Sequence, residues 1–145
     1  MEIYTIGFTQ TTAAEFFGKL KLAGIRRLVD VRLNNVSQLA GFAKRDDLRY
    51  FLAEICGADY VHEPRLAPSQ DILDAYKKKQ ASWDEYERRF LQLMADRHVE
   101  AAISPSLFDV PTVLLCSEPT AERCHRRLVL EYLNNRWGDV RAIHL

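Results

Sequence analysis

Short apolar runs alternating with longer amphipathic stretches predict a three-layer α/β domain: about five mostly parallel strands with helices on both faces, a Rossmann-like open sheet. Two further observations agree. Helix-start signals follow several of the apolar runs, and no fixed-period repeat, low-complexity tract or Pro/Gly/Ser-rich linker divides the chain. The 145 residues, 48% of them hydrophobic, suffice for one ordinary core, so 1–145 reads as a single domain.

The elements follow in order. Residues 2–6 read as a strand. Thr12 and Glu15 make the Thr-x-x-Glu pattern of a capping box before Phe16, Phe17, Leu20 and Ala23 at helical spacing, and Gly24 fits the stop. Residues 26–31 supply a second strand. A polar loop with Asn34, Asn35, Ser37 and Gly41 leads to a helix over 46–56 that Gly57 closes. Residues 58–61 form a short third strand. Beyond Pro64 and Pro68 the spacing predicts a helix over 69–78 and another from Ser82, whose Ser-x-x-Glu with Glu85 is a second capping box. Tyr86, Phe90, Leu93 and Met94 make the apolar face of that helix. The stretch 99–111 is the least periodic and reads as an irregular connection carrying some helix. A strand over 112–115, a helix from Pro119 to about Asn135 and a last strand over 140–145 complete the pattern.

Composition sets modest limits on function. Lysine plus arginine equals aspartate plus glutamate at 20 each, so the whole-molecule charge offers no argument for nucleic acid, and any anion site must be local. Three cysteines are an odd number in a chain that is not cysteine-rich, which predicts reduced thiols in a cytosolic compartment and no disulfide framework. Residues 1–8 lack the pattern of a signal peptide, and no apolar run is long enough to span a bilayer. A cytoplasmic protein without a membrane partner is expected.

Reactive residue types stand just past the predicted strands: Gly7 and Phe8, Asp30 and Arg32, His62 and Glu63, Cys116 and Glu118, then His144. Parallel strands bring these ends to one rim, the usual ligand position of an open α/β sheet. Asp30, alternating with valines, either faces the site or forms a structural ion pair with Arg32. His62 suits a loop edge, where an imidazole is often a hydrogen-bonded structural group, and His144 reads as structural. Cys116 ends a buried strand before a predicted helix start, so the helix dipole would favour its thiolate; the competing reading is a small buried hydrophobe. Cys124 has Ala121 and Leu128 on its helical face and reads as core. Cys56, beside Gly57, also reads as structural.

Three chemistries can be set against this spacing. A phosphatase-like or sulfur-transfer thiol loop wants a compact glycine-bearing turn around an anion, whereas the segment between Cys116 and Arg123 has no glycine and carries Glu118. A structural zinc site wants closely spaced cysteine pairs, whereas seven residues separate Cys116 from Cys124 and no second cluster exists, so no metal is expected. A Cys/His pair, with His125 or His62 activating Cys116, fits but is not demanded.

Tyr4-Thr5-Ile6-Gly7, Val29-Asp30-Val31-Arg32, Tyr60-Val61-His62, Leu114-Leu115-Cys116-Ser117-Glu118, Cys124-His125-Arg126 and Ile143-His144-Leu145 together resemble the motif series of the domain-of-unknown-function 488 family. The stretch from Leu33 to Phe42 resembles one branch of it. The resemblance implies a small cytosolic α/β domain of prokaryotes with no established activity. It points to Gly7, Asp30, Arg32, His62, Cys116, Glu118, Cys124, His125 and Arg126, and so raises the weight on Cys124 and His125. Many relatives have histidine where this chain has Phe8.

Two functions are therefore expected in competition. The first is an enzyme with Cys116 as nucleophile or redox thiol, with Asp30, Glu118 or His125 handling protons and Arg32 and Arg126 holding a small anionic or nucleotide-like substrate. Its cofactor, if any, is unknown. The second is a non-catalytic domain using the same rim to bind nucleic acid or a protein, with Tyr50, Tyr76 and Trp83 as stacking groups and Lys77 to Lys79 and Arg88-Arg89 as basic spots. Charge runs of that kind are usually solvated helix faces.

Overall fold

A computed structural model of the chain describes residues 1–36, 41–117 and 123–145. Five strands, β1 (Glu2–Gly7), β2 (Arg27–Asp30), β3 (Asp59–His62), β4 (Thr112–Cys116) and β5 (Arg141–His144), form one sheet in the order β3-β2-β4-β1-β5, with every pairing parallel. The open α/β architecture expected from the sequence is the one observed. The helices are α1 (Ala13–Leu22), α2 (Arg45–Phe51), α3 (Gln70–Lys77), α4 (Trp83–Asp96), α5 (Val99–Ala102) and α6 (His125–Trp137). A π-helical turn, Leu52–Cys56, extends α2.

Strand residues alternate between two cores, as a pleat of period two requires. Ile6, Leu28, Val113 and Leu115 share one core with Phe16, Phe17 and Leu20 of α1 and Leu48 of α2. Ile3, Val29, Val31, Leu114 and Cys116 share the other with Phe90 and Met94 of α4 and Leu128 and Val129 of α6. Strand β4 is buried along its whole length, which is why it reads as an unbroken apolar run.

Both capping signals act. The Thr12 side chain accepts from the Glu15 N–H and the Ser82 side chain from the Glu85 N–H, each at 3.1 Å. The Glu15 carboxylate accepts from the Thr11 hydroxyl. Gly57 takes the left-handed conformation that ends the π-helical turn, with φ of 60°. The expected irregular stretch 99–111 contains α5 and a 3₁₀ turn at Pro105–Phe108.

One boundary needs correction. Helix α6 begins at His125, with Cys124 as its N-cap residue, and not at Pro119. Pro119 and Glu118 lie outside the described residues, as does Ser37 of the predicted polar loop. The N–H groups exposed at the start of α6 therefore adjoin Cys124, not the residues right after Cys116.

The connection after β1 runs through α1 on one face, whereas α6, after β4, lies on the other. Strands β1 and β4 are neighbours, so a crevice opens outside their C-terminal ends, where chains departing to opposite faces leave room for a ligand. Among the described residues, no helix is long and apolar enough to cross a membrane.

Leu114 lies in the central strand with no exposure to solvent. Truncation to alanine is expected to cost about 2–5 kcal/mol, through lost transfer energy and the cavity left behind. Leu22, 92% exposed on α1, should change stability by less than about 0.5 kcal/mol when replaced by alanine. Urea unfolding of both variants checks the assignment of core and surface.

Candidate active site

The parallel register sets Gly7 of β1 opposite Cys116 of β4, and Asp30 of β2 opposite both Leu115 of β4 and His62 of β3. The predicted rim therefore exists. Beside it is a cleft of about 1030 Å³. Thr9, Arg32, Cys116, Ser117, Arg123, Cys124 and His125 line its sheet side, and Tyr76, Lys77, Lys79 and Trp83, from α3, α4 and the turn between them, line the opposite wall.

Cys116 and Cys124 are joined by a disulfide, whereas Cys56 is free. This corrects the expectation of reduced thiols throughout. Counting cysteines treats all three alike, but the chain leaves β4 at Cys116 and returns at the N-cap of α6, so two of them meet. Cys124 is a buried core residue, as expected, but it stands at the helix start against Cys116 and not on a helical face. Likewise, seven intervening residues do not keep the two sulfurs apart. The donor atoms of Cys116, Cys124 and His125 lie within 4.8 Å of one another.

His125 is held from the other side. Its Nε2 lies 2.6 Å from the Val31 carbonyl oxygen, which can only accept, so Nε2 carries the proton and Nδ1 presents a lone pair. Nδ1 is 4.0 Å from Cys124 Sγ. Burial pushes the imidazole pKa down to about 4 and the Arg126 charge adds to the effect, against the opposing influence of the Val31 hydrogen bond and Asp30. His125 is a neutral base at neutral pH. Arg126, almost wholly buried, points Nη1 at Cys116 Sγ from 3.7 Å.

Asp30 adopts the structural alternative. Its carboxylate accepts from Arg32 Nε at 2.8 Å, Arg32 Nη2 at 2.7 Å, the Arg32 backbone N–H at 3.1 Å and the Tyr60 hydroxyl at 2.6 Å. Burial, then the charge of Asp30 and its hydrogen bond, holds the Tyr60 phenol well above its usual range. Asp30 thus positions Arg32 and does not line the cleft. Arg32 does line it, and its Nη1 is buried with no hydrogen-bond partner among the described residues. The guanidinium also lies over the Phe8 ring at 5.1 Å.

The remaining candidates divide. His62 is turned from the cleft, with Nε2 2.9 Å from the Arg32 carbonyl oxygen, and is not brought to Cys116. His144 meets the Thr5 hydroxyl, as a structural residue would. Gly7 ends β1 two residues before Thr9, whose N–H and hydroxyl both donate to the Ser117 carbonyl. Glu118 is outside the described residues.

Sequence reasoning undervalued the opposite wall. Lys77 and Lys79 read as a solvated face, yet both line the cleft, as do Tyr76 and Trp83. Trp83 stacks on Tyr86 at 4.8 Å. The available signal was the long connection from β3, at the sheet edge, to β4 at its centre, which must pass over the sheet. Tyr50 is exposed away from the cleft, and Arg88 and Arg89 pair with Glu85 and Asp71.

Fold and site together define an all-parallel open α/β domain with a sulfur- and imidazole-bearing cleft at its strand ends. The chain belongs to the DUF488 family, described as a domain of unknown function, whose profile matches residues 12–133. A search of curated proteins found no match, and neither did a search of solved structures.

Replacing Asp30 by Asn leaves the Arg32 charge buried without its counter-ion and is expected to cost about 3–5 kcal/mol. The same change at Asp59, which is more than half exposed beside Arg27, should cost less than about 1 kcal/mol. Equilibrium denaturation separates the two.

The depressed pKa of His125 has a definite sign. Between an unfolded value near 6.5 and a folded value of about 4, the unfolded chain binds more protons, so this group's contribution to stability is complete above about 6.5 and lost as pH falls toward 4. Nitrogen NMR of the imidazole should show the neutral Nε2–H form persisting at pH 5.5. A ring half-protonated near pH 6.5 would contradict the placement.

Proposed function

We propose that the chain is a thiol-dependent enzyme acting on a small anionic, nucleotide-like substrate in this cleft, with Cys116 as nucleophile. The observation that carries the reading is the position of the cysteine pair in a cleft whose charged described lining residues, Arg32, Lys77, Lys79 and Arg123, are all cationic. An anion drawn there is held beside Cys116. The unsatisfied Nη1 of Arg32 is a donor suited to an anionic oxygen, and Tyr76 and Trp83 offer aromatic surface to a flat ring.

The chemistry follows from the reduced pair. Arg126 beside Cys116 favours its thiolate. The Cys116 thiolate adds to an electrophilic, multiply bonded atom of the substrate, breaking its π bond and moving that pair onto the neighbouring atom, where a proton is taken up, so that a covalent adduct forms. Cys124, already within bonding reach, displaces the reduced substrate and closes the disulfide. Two electrons pass from the dithiol to the substrate, and a thiol reductant restores the pair. His125 Nδ1, facing Cys124 Sγ, accepts the thiol proton as Cys124 becomes the attacking thiolate.

Iodoacetamide alkylation of the reduced native chain, resolved by peptide mass spectrometry across pH, tests this directly. Cys116 is expected to react with an apparent pKa below the usual value of about 8.5. Cys56, whose thiol is pushed up by burial, should lag behind it. A Cys116 that stays unreactive until the chain unfolds would exclude the nucleophile. In a Trp137→Phe background, quenching of Trp83 by adenosine 5′-phosphate, weakened by Lys77→Ala or Arg123→Ala, reads the anionic substrate class. Quenching without any thiol reactivity would leave the cleft a binding surface.

A further inference from the structure

We infer that Cys116, Cys124 and His125, once the disulfide is reduced, form a Zn²⁺ site with three protein ligands and a fourth position open to the cleft. This goes beyond the thiol-enzyme reading and does not depend on it. The three donor atoms are within 4.8 Å of one another. In a tetrahedral zinc site, with bonds of about 2.3 Å to sulfur and about 2.0 Å to nitrogen, such donors stand roughly 3.5–3.8 Å apart. Shifts of about an ångström would therefore complete the geometry. The cysteine Cα atoms are 7.4 Å apart, beyond the roughly 4.4–6.8 Å usual for a disulfide. A cation between two thiolates suits the wider spacing.

The surroundings are those of a ligating imidazole. The Val31 carbonyl fixes the His125 proton on Nε2 and turns the Nδ1 lone pair toward the sulfurs. A backbone carbonyl holding the far N–H of the ring is the common support for a metal-bound histidine. Arg126 Nη1 directs an N–H at Cys116 Sγ, which disperses thiolate charge. Two thiolates and one imidazole favour zinc over hard cations such as Mg²⁺ or Ca²⁺, which take oxygen ligands. Binding releases two thiol protons to solvent and leaves a centre of zero net charge. Arg123 and Lys77 line the same cleft, which suits an anionic fourth ligand.

The disulfide and the zinc complex are exclusive states of the same sulfurs. Passage from the first to the second adds two electrons and two protons to the disulfide. A phosphine supplies the electrons and becomes the phosphine oxide, with water contributing the oxygen. Zinc on Cys116 would also mask the proposed nucleophile, making occupancy an off state for the thiol chemistry.

The test uses the full chain, reduced with a phosphine, freed of reductant under nitrogen, and titrated with Zn²⁺ against a chromophoric chelator. One equivalent is expected to bind, and none after reoxidation of the pair. Co²⁺ should give a thiolate-to-metal charge-transfer band and the visible bands of tetrahedral coordination, which read the donor set without any substitution. Zn²⁺ should slow alkylation of Cys116 and Cys124 by at least about tenfold and leave Cys56 unchanged. Cys116→Ser and Cys124→Ser should each weaken Zn²⁺ by more than about 100-fold, the upper end of what losing a mere supporting partner costs, while Cys56→Ser should not. No uptake by the reduced chain, or equal uptake by the oxidised chain or either Ser variant, overturns the site. Alkylation of Cys116 without zinc reads the thiol-enzyme proposal separately, so either idea can fail while the other stands.

Discussion

The Asp30–Arg32 pair sits at the end of β2, with both charges withdrawn from water. Neither charge is tolerable there alone, so the two and their hydrogen bonds must form together. Arg32 Nη2 also donates to the Ala43 carbonyl, and Tyr60, on neighbouring β3, binds the carboxylate while accepting from Asn35. One ion pair thus ties the loop after β2, the turn at Gly41–Ala43 and the sheet edge into one assembly. Val31 lies between the paired residues, so its carbonyl is fixed as well. That carbonyl sets the orientation and proton position of His125, and with it the direction in which Nδ1 faces the sulfurs. The pair therefore orients the imidazole that faces the sulfurs, while Arg32 itself reaches the cleft.

The electrostatics of the cleft are divided by depth. Arg126 and the neutral His125 surround the sulfurs in the interior, while Lys77, Lys79 and Arg123 stand at the wall. Charge at the wall is screened by salt and suits attraction of an anion over a distance, whereas the buried guanidinium acts at short range on Cys116. The balanced total of 20 basic and 20 acidic residues hides this arrangement, because none of the described acidic groups lines the cleft and several stand in surface ion pairs such as Asp59 with Arg27 and Asp71 with Arg89.

What the sequence disclosed follows the range of the forces involved. Strands and capped helices are local, and β4 and the helix starts at Thr12 and Ser82 stood out from apolar runs and side-chain caps. Parallel order followed from the alternation, and with it the rim carrying Gly7, Asp30, His62 and Cys116. The sulfur pair did not follow, because whether Cys124 extends a helix or caps it depends on where α6 begins. The choice at Asp30 was also beyond the sequence. Val-Asp-Val-Arg alternates equally well for a site residue and for a buried pair, and only Tyr60, thirty residues on, decides it by burying the carboxylate. The α3–α4 wall escaped for a related reason, since lysines on a cleft and lysines on an open face have the same local spacing.

Phe8 sharpens the assignment of proton transfer. It is buried in the core shared with α1 and α2, and its ring face receives Arg32, so it braces the guanidinium and cannot exchange a proton. His62 and His144 are engaged away from the cleft. Among the described lining residues, His125 is thus the imidazole that reaches the sulfurs. With its pKa near 4 it is unprotonated at neutral pH, so it serves there as a proton acceptor or a metal ligand, and not as a proton donor in the resting state. In the proposed thiol chemistry a proton taken from Cys124 makes His125 a transient donor, which couples the protonation of the imidazole to the redox state of the pair beside it.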